Sequence, residues 1–276
     1  MTDKYAVIGN PIGFTKSPTI HMAFARQTGQ DIDYGVILGP VGGFAGRIDE
    51  FRREDARGVN VTAPFKLDAF AYATDRSESA QLAGAANCLK FEGARVHAEN
   101  FDGIGLTHDI TVNLGVPMRG KRVLLLGAGG AARGAMLPFL REKPSELVLV
   151  NRTLSKAVKL AEAVTAAGNV MVCGYGELAD LPGRHFDLVI NATSASLRGE
   201  MPPVPPNAFR GASLAYELAY GKGLTPFLKA AKAQDVAQLS DGVGMLVEQA
   251  AESFAWWRGV RPETASLIGQ LTIPLT

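Results

Sequence analysis

Short apolar runs alternate along this chain with segments of helical period, and glycine or proline marks most of the joins. That alternation predicts α/β architecture. "KYAVIGN" (Lys4 to Asn10) predicts a strand, and "PTIHMAFARQTG" (Pro18 to Gly29) a helix closed by its glycine. "YGVIL" and "GVNV" predict strands on either side of a helix over Gly42 to Arg53. "AANCLKFEGARVHAEN" (Ala85 to Asn100) predicts a hairpin turning at Gly93, followed by a helix over Gly103 to Gly115. A second unit then starts abruptly, with "GKRVLLLGAGGAARGAMLPFL" reading as strand, glycine turn and helix. "ELVLVNRT", "FDLVINAT" and "ASLAYEL" predict further buried strands, "LSKAVKLAEAVTAAG" a helix, and the stretch from Asp241 onward is almost wholly helical.

The predicted fold is therefore two α/β domains. Residues 1–102 plus 241–276 form one, and a Rossmann-type parallel-sheet domain spans 103–240. Ligands are expected in a cleft between them, whose closure would exclude water.

Composition narrows the chemistry. The 276 residues are 47% hydrophobic and 20% charged, with a net charge of +1. Such a balance offers no field for nucleic acid. No apolar run reaches the ~20 residues needed to cross a bilayer. The two cysteines, Cys88 and Cys173, stand far apart with no metal-ligand spacing, so neither a disulfide framework nor a metal site is expected. These features point to a cytoplasmic protein without a membrane partner. Nothing in them distinguishes a monomer from a homodimer.

"VLLLGAGGAARG" carries the strongest single signal. Gly127, Gly129 and Ala132 fit the G-x-G-x-x-G/A fingerprint after an apolar strand and at the opening of a helix. There the backbone of Gly127, Ala128, Gly129, Gly130 and Ala131 can approach a pyrophosphate that the helix N-terminus stabilises. An NAD site carries Asp or Glu at the end of the next strand. This chain has Asn151, Arg152, Thr153 and, one turn on, Lys156. Two cations at a helix start are unfavourable without an anion. A guanidinium fork with a nearby ammonium suits a ribose 2′-phosphate, hence NADP.

The first domain gathers polar residues beside its turns: "FTKSP", "NVTAPFK", "GAANC" and "ENFDG". Hydroxyls and amides dominate, which suits a small polyhydroxylated ligand bearing a carboxylate. In "NVTAPFK", Thr62 can cap a helix that Pro64 opens, which places Lys66 in its first turn. Asp102, ahead of Gly103, can cap the next helix. His21 reads as a hydrogen-bonded core residue, and Met245, Trp256 and Trp257 as helix packing.

In these motifs the chain resembles the shikimate dehydrogenase family over essentially its whole length. Thr15, Lys16, Ser17, Pro18 and His21 are similar to the family's S-K-S-P-x-x-H, and Asn60 to Lys66 match N-V-T-x-P-F-K. Gly84, Ala85, Asn87 and Cys88 approximate G-A-x-N-T, and Glu99 to Gly103 stand for D-N-T-D-G. "NRTLSK", "NATS" (Asn191 to Ser194), "TPFL" (Thr225 to Leu228) and "DGVGMLVEQA" (Asp241 to Ala250) follow in the same order.

The resemblance implies NADP-dependent, reversible reduction of 3-dehydroshikimate to shikimate, with Lys66 and Asp102 as the catalytic pair. It places Thr15 and Ser17 at the substrate carboxylate, and Thr62, Asn87, Tyr220 and Gln249 at its hydroxyls. Gly127 to Ala131, Asn151 to Lys156, Thr193, Leu218 and Gly242 would line the cofactor. Thr15, Cys88 and Phe101 depart from the pattern; Phe101 stands where the family has threonine, with its ring either near the site or turned into the core. Quinate as substrate, NAD use, and a non-catalytic NADP-binding sensor are the competing readings. An ammonium at the start of a helix is a good proton donor to an alkoxide forming beside it, which gives Lys66 a chemical reason for its place.

Overall fold

The computed structural model describes residues 2–181 and 185–275. Two compact units divide the chain: Met1–Gly105 with Val247–Gln270, and Leu106–Leu246 with Leu271–Thr276.

The first unit is built on strands β1 (Asp3–Gly9), β2 (Ile32–Leu38), β3 (Ala56–Val61), β4 (Asp75–Arg76), β5 (Cys88–Glu92) and β6 (Arg95–Glu99), in the order β2-β1-β3-β5-β6-β4. β1 pairs in parallel with β2 and β3, as helical crossovers require, while β5 runs antiparallel to both β3 and β6. The β5–β6 connection is the expected hairpin, and its Gly93 has φ +58°. Helices α1 (Ser17–Thr28), α2 (Phe44–Arg53), α3 (Lys66–Tyr72) and α4 (Glu78–Ala83) accompany the sheet; β4 and α4 carry no strong periodicity and were not predicted. Ile8, Ile48, Val59, Phe65 and Leu89 fill one core beneath them.

The second sheet has the order β12-β11-β10-β7-β8-β9 and is wholly parallel: β7 (Arg122–Leu126), β8 (Glu146–Val150), β9 (Val170–Cys173), β10 (Leu188–Asn191), β11 (Leu214–Glu217) and β12 (Gln238–Ser240). Its inner strands are buried throughout, which explains their unbroken apolar sequences. Edge strand β9 is half-exposed and lacks that signature. The helix expected over Leu154 to Gly168 ends sooner, as α7 (Leu154–Ala163). Helices α6 (Gly130–Arg141) and α8 (Pro226–Lys232) complete this unit's crossovers.

The helix expected over Gly103 to Gly115 is α5 (Asp102–His108), which widens into a π-helical turn over Asp109–Asn113. Buried Asp109 accepts there from Tyr216 Oη at 2.6 Å and Asn113 Nδ2 at 2.9 Å. The C-terminal stretch is α9 (Val243–Arg258) and α10 (Ala265–Leu271), with a non-helical break around Arg261 and Pro262.

An aromatic stack joins α1 and α9 to the first sheet. His21 lies face to face with Tyr34 at 4.3 Å and Trp257 stacks on Tyr5 at 4.6 Å. Trp257 Nε1 donates to the Leu89 carbonyl at 3.1 Å, consistent with its assignment to packing. His21 is a core residue held by stacking; neither ring nitrogen has a hydrogen-bond partner, contrary to the sequence expectation.

Burial pushes the His21 imidazole down to about 3. In the unfolded chain it takes a proton near pH ~6.5, so the folded state excludes a proton that the unfolded state binds. Stability is then full above that pH and declines as pH falls toward the folded value, by up to about 1.4 kcal/mol per unit. Denaturant unfolding of wild type and His21→Phe from about pH 7 to about pH 4 should give a curve shallower for the variant by about 1 kcal/mol per unit. Parallel curves would contradict this account.

Candidate active site

Three of the first unit's four polar turns converge on one buried carboxylate. β3 ends at Val61, and residues Thr62 to Phe65 form a turn with a cis Ala63–Pro64 peptide, closed by a hydrogen bond from Phe65 N–H to the Thr62 carbonyl at 3.0 Å. Helix α3 therefore starts at Lys66. This corrects the expectation that Thr62 caps and Pro64 opens the helix: both are used in the turn. Lys66 keeps its place in the first helical turn. Buried Phe65 anchors the turn in the core.

Lys66 Nζ donates to Asp102 Oδ2 at 2.6 Å; the lysine side chain is one-third exposed and the aspartate nearly buried. Asp102 is the first residue of α5 and not its cap. Asn100 leads the chain into the helix, its Oδ1 accepting from Asp102 N–H at 3.1 Å. Asn87, also buried, donates through Nδ2 to Asp102 Oδ1 at 2.8 Å and to Gln249 Oε1 at 3.3 Å. Its Oδ1 accepts from Phe101 N–H at 2.9 Å, which fixes the orientation of the amide. Gln249 reaches this point because α9 touches α5: a Cβ on Gly105 would lie 2.6 Å from Gln249 N, so only glycine permits the approach. Lys66, Asp102, Asn87 and Gln249, predicted from four separate motifs, thus form one hydrogen-bonded chain.

Thr15 and Ser17 are adjacent. The Thr15 hydroxyl donates to Ser17 Oγ at 3.1 Å and accepts from Ser17 N–H at 3.2 Å. Tyr34, which has Ser17 beside it, donates through its hydroxyl to Asn60 Oδ1 at 2.6 Å. Asn60 Nδ2 continues to Ser253 Oγ at 3.0 Å, and Ser253 to the Gln249 carbonyl at 3.0 Å. Tyr34, beside the pair of hydroxyls, and the Lys66–Asp102 pair are therefore two ends of one polar network. Tyr34 and Ser253 had no motif to mark them. Thr62, the first residue of the turn after β3, is half-buried.

Two departures from the family pattern are explained by burial. Phe101 turns its ring into the core, edge-to-face with Trp256 at 5.7 Å. Cys88 is fully buried beside Ser253, and burial pushes its thiol up.

The remaining candidates lie in the second unit. Gly127 has φ +104°, a conformation that favours glycine, and directs the chain from β7 toward α6. Added Cβ atoms on Gly129 and Gly130 would meet nothing within 4 Å, so the backbone at the start of α6 is open to a ligand. The Ala128 N–H donates to Asn151 Oδ1 at 3.3 Å, which joins the turn to the end of β8. Arg152 and Lys156 are exposed at the start of α7, whose first turn contains no acidic residue. This open, anion-binding cradle with two cations beside it fits a phosphorylated dinucleotide. Thr193 follows β10, Leu218 and Tyr220 follow β11, and Gly242 lies against the Leu218 carbonyl. Asp241 ties this region together, accepting from Gly221 N–H at 3.1 Å and Val243 N–H at 3.2 Å.

Family descriptions match in three parts: a shikimate dehydrogenase substrate binding domain over residues 7–89, shikimate / quinate 5-dehydrogenase over 111–198, and a shikimate 5′-dehydrogenase C-terminal domain over 242–271. The chain is 53% identical over 271 residues to the shikimate dehydrogenase (NADP(+)) of Nitrosospira multiformis, covering 98% of each. Among solved structures it is similar to an Ael1 enzyme from Pseudomonas putida, with a TM-score of 0.96, 58% identity and 100% of both chains covered. It is also similar to the shikimate 5-dehydrogenase of Thermus thermophilus in complex with NADP(H) and shikimate, with a TM-score of 0.84, 28% identity, and 97% of this chain and 98% of that one covered.

Proposed function

We propose that this chain, which belongs to the shikimate dehydrogenase family, catalyses the NADP-dependent, reversible reduction of 3-dehydroshikimate to shikimate. The observation that carries the mechanism is the 2.6 Å contact between Lys66 and Asp102 among amide and hydroxyl groups. NADPH, when bound, supplies the hydride that reduces the substrate carbonyl carbon. The protein must supply a proton to the oxygen and stabilise the negative charge that develops there. Lys66 does both: its ammonium hydrogen-bonds the reacting oxygen and gives up a proton to it, and the neutral amine takes the proton back in the oxidation direction. Asp102 holds the lysine in place and balances its charge. Asn87 holds Asp102 and, with Gln249, Thr62 and Tyr220, meets the substrate hydroxyls. Thr15 and Ser17 bind the carboxylate.

For the cofactor, the Gly127 to Ala131 backbone receives the pyrophosphate. Asn151, Arg152, Thr153 and Lys156 receive the adenosine end, with Arg152 and Lys156 on the 2′-phosphate; Thr193, Leu218 and Gly242 line the remainder. The working form we propose is a cytoplasmic monomer or homodimer. In support of the compartment, both cysteines are buried and unpaired.

The test is oxidation of shikimate, with quinate as comparator, followed through the absorbance of the reduced cofactor with NADP and with NAD. Turnover of shikimate with NADP in preference to the other three combinations is expected; absence of turnover on either substrate would leave only a sensor. Lys66→Ala should lower kcat by roughly a thousandfold while cofactor affinity is retained. Near-normal turnover in that variant would remove Lys66 from the chemistry. Arg152→Ala should weaken NADP binding by roughly tenfold to a hundredfold and leave NAD binding unchanged. An unaltered preference would overturn the phosphate assignment.

A further inference from the structure

One fully buried acid in the second unit has no part in the proposed proton transfer. Glu217 ends β11, at 0% exposure, and its carboxylate is surrounded by donors. Oε2 accepts from Asn191 Nδ2 at 3.0 Å, from Thr225 Oγ1 at 3.3 Å and from the Ser196 hydroxyl. Oε1 accepts from Ala219 N–H at 3.2 Å. An ionised carboxylate, which only accepts, can serve all four donors at once.

These bonds lead outward to the candidate cofactor residues. Because Asn191 gives its Nδ2 to Glu217, its Oδ1 faces the other way, where it accepts from Thr193 N–H at 3.1 Å and Thr193 Oγ1 at 2.7 Å. The Ala219 N–H lies between Leu218 and Tyr220, so its bond fixes the course of that loop. Thr225, besides donating to Glu217, accepts from Leu228 N–H at 3.3 Å and caps α8. One side chain therefore sets the loops that follow β10 and β11.

The strand order shows which end of the cofactor these loops serve. Starting from β7, the sheet grows one way through β8 and β9, and the other way through β10, β11 and β12. A dinucleotide crosses such a sheet at the point of reversal, with its pyrophosphate on the first turn. Arg152 at the end of β8 draws the adenosine phosphate to one side. The nicotinamide half must then extend toward β10 and β11, over Thr193 and Leu218.

We propose that Glu217 is a positioning residue for the nicotinamide half of the cofactor: its carboxylate, through Asn191 and Ala219, holds the loops bearing Thr193 and Leu218. This rests on the NADP reading given above. Glutamine at this position has the same shape but cannot serve the same donors. With its oxygen toward Asn191, Ser196 and Thr225, its amide nitrogen opposes the Ala219 N–H; reversed, it opposes the other three. Aspartate is shorter but still only accepts.

The full-length protein would be titrated with NADPH and with 2′,5′-ADP, which carries only the adenosine half. Glu217→Gln should weaken NADPH about tenfold and lower kcat for shikimate by about tenfold or more, because the reacting groups are misplaced. Affinity for 2′,5′-ADP should stay within about twofold of wild type, since the β7 and β8 turns are untouched. Glu217→Asp should recover more of both losses than the glutamine variant, whereas a residue needed only for its volume would give the opposite ranking. Wild-type behaviour of Glu217→Gln, equal loss of both ligands, or aspartate ranking below glutamine would each overturn the proposal. Should the glutamine variant fail to fold, Ser196→Ala removes a single donor. It should still lower NADPH affinity and spare 2′,5′-ADP, and no change there would overturn the proposal as well. A wild-type protein that binds 2′,5′-ADP no better than 5′-AMP would instead overturn the NADP reading, and the proposal with it.

Discussion

A buried carboxylate must be compensated, and the first unit is organised around that requirement at Asp102. An ionised group withdrawn from water is costly unless charge and hydrogen bonds replace its hydration. Lys66 supplies the charge on one oxygen and Asn87 the hydrogen bond on the other. Each partner depends on a different piece of structure: Lys66 on the turn after β3, Asn87 on the loop before β5, and Gln249 on the close passage of α9 at Gly105. Moving any of these leaves an unpaired polar group, so the fold and the site constrain one another.

The second unit shows the same logic at Glu217. Here the acid closes strand β11, whereas Asp102 opens helix α5, and again its bonds run through an asparagine whose amide they orient. In both units the apolar strands deliver polar side chains to the strand ends, where the backbone turns and ligand sites form in α/β proteins. The two hubs differ in use. Asp102 faces a partly exposed lysine that can meet substrate, while Glu217 is sealed and can act only through its neighbours.

The buried parallel strands and the glycine turn could be read directly from the sequence, because unbroken apolar runs and a fixed glycine spacing have a single physical cause. Lys66, Asp102, Asn87 and Gln249 were each nameable from a motif, and only the family resemblance placed them at one site: the bonds that join Asn87 to both Asp102 and Gln249 depend on the contact at Gly105, which no local pattern encodes. Edge strand β9 escaped because a half-exposed strand needs no strong pattern. The turn at Thr62 to Phe65 was misread because Thr and Pro ahead of a helix also make a good cap and first turn. Glu217 did leave a trace, as a lone charge closing the apolar run "ASLAYEL", whereas Tyr34 sits in an ordinary strand and gave none.

The central claim is that Lys66, held by Asp102, faces the oxygen of the carbon that exchanges hydride. A crystal structure with shikimate and NADP both bound tests it most directly. The account predicts Lys66 Nζ within hydrogen-bonding distance of that oxygen while still in contact with Asp102. A lysine turned to solvent, with the oxygen held by other groups, would contradict it.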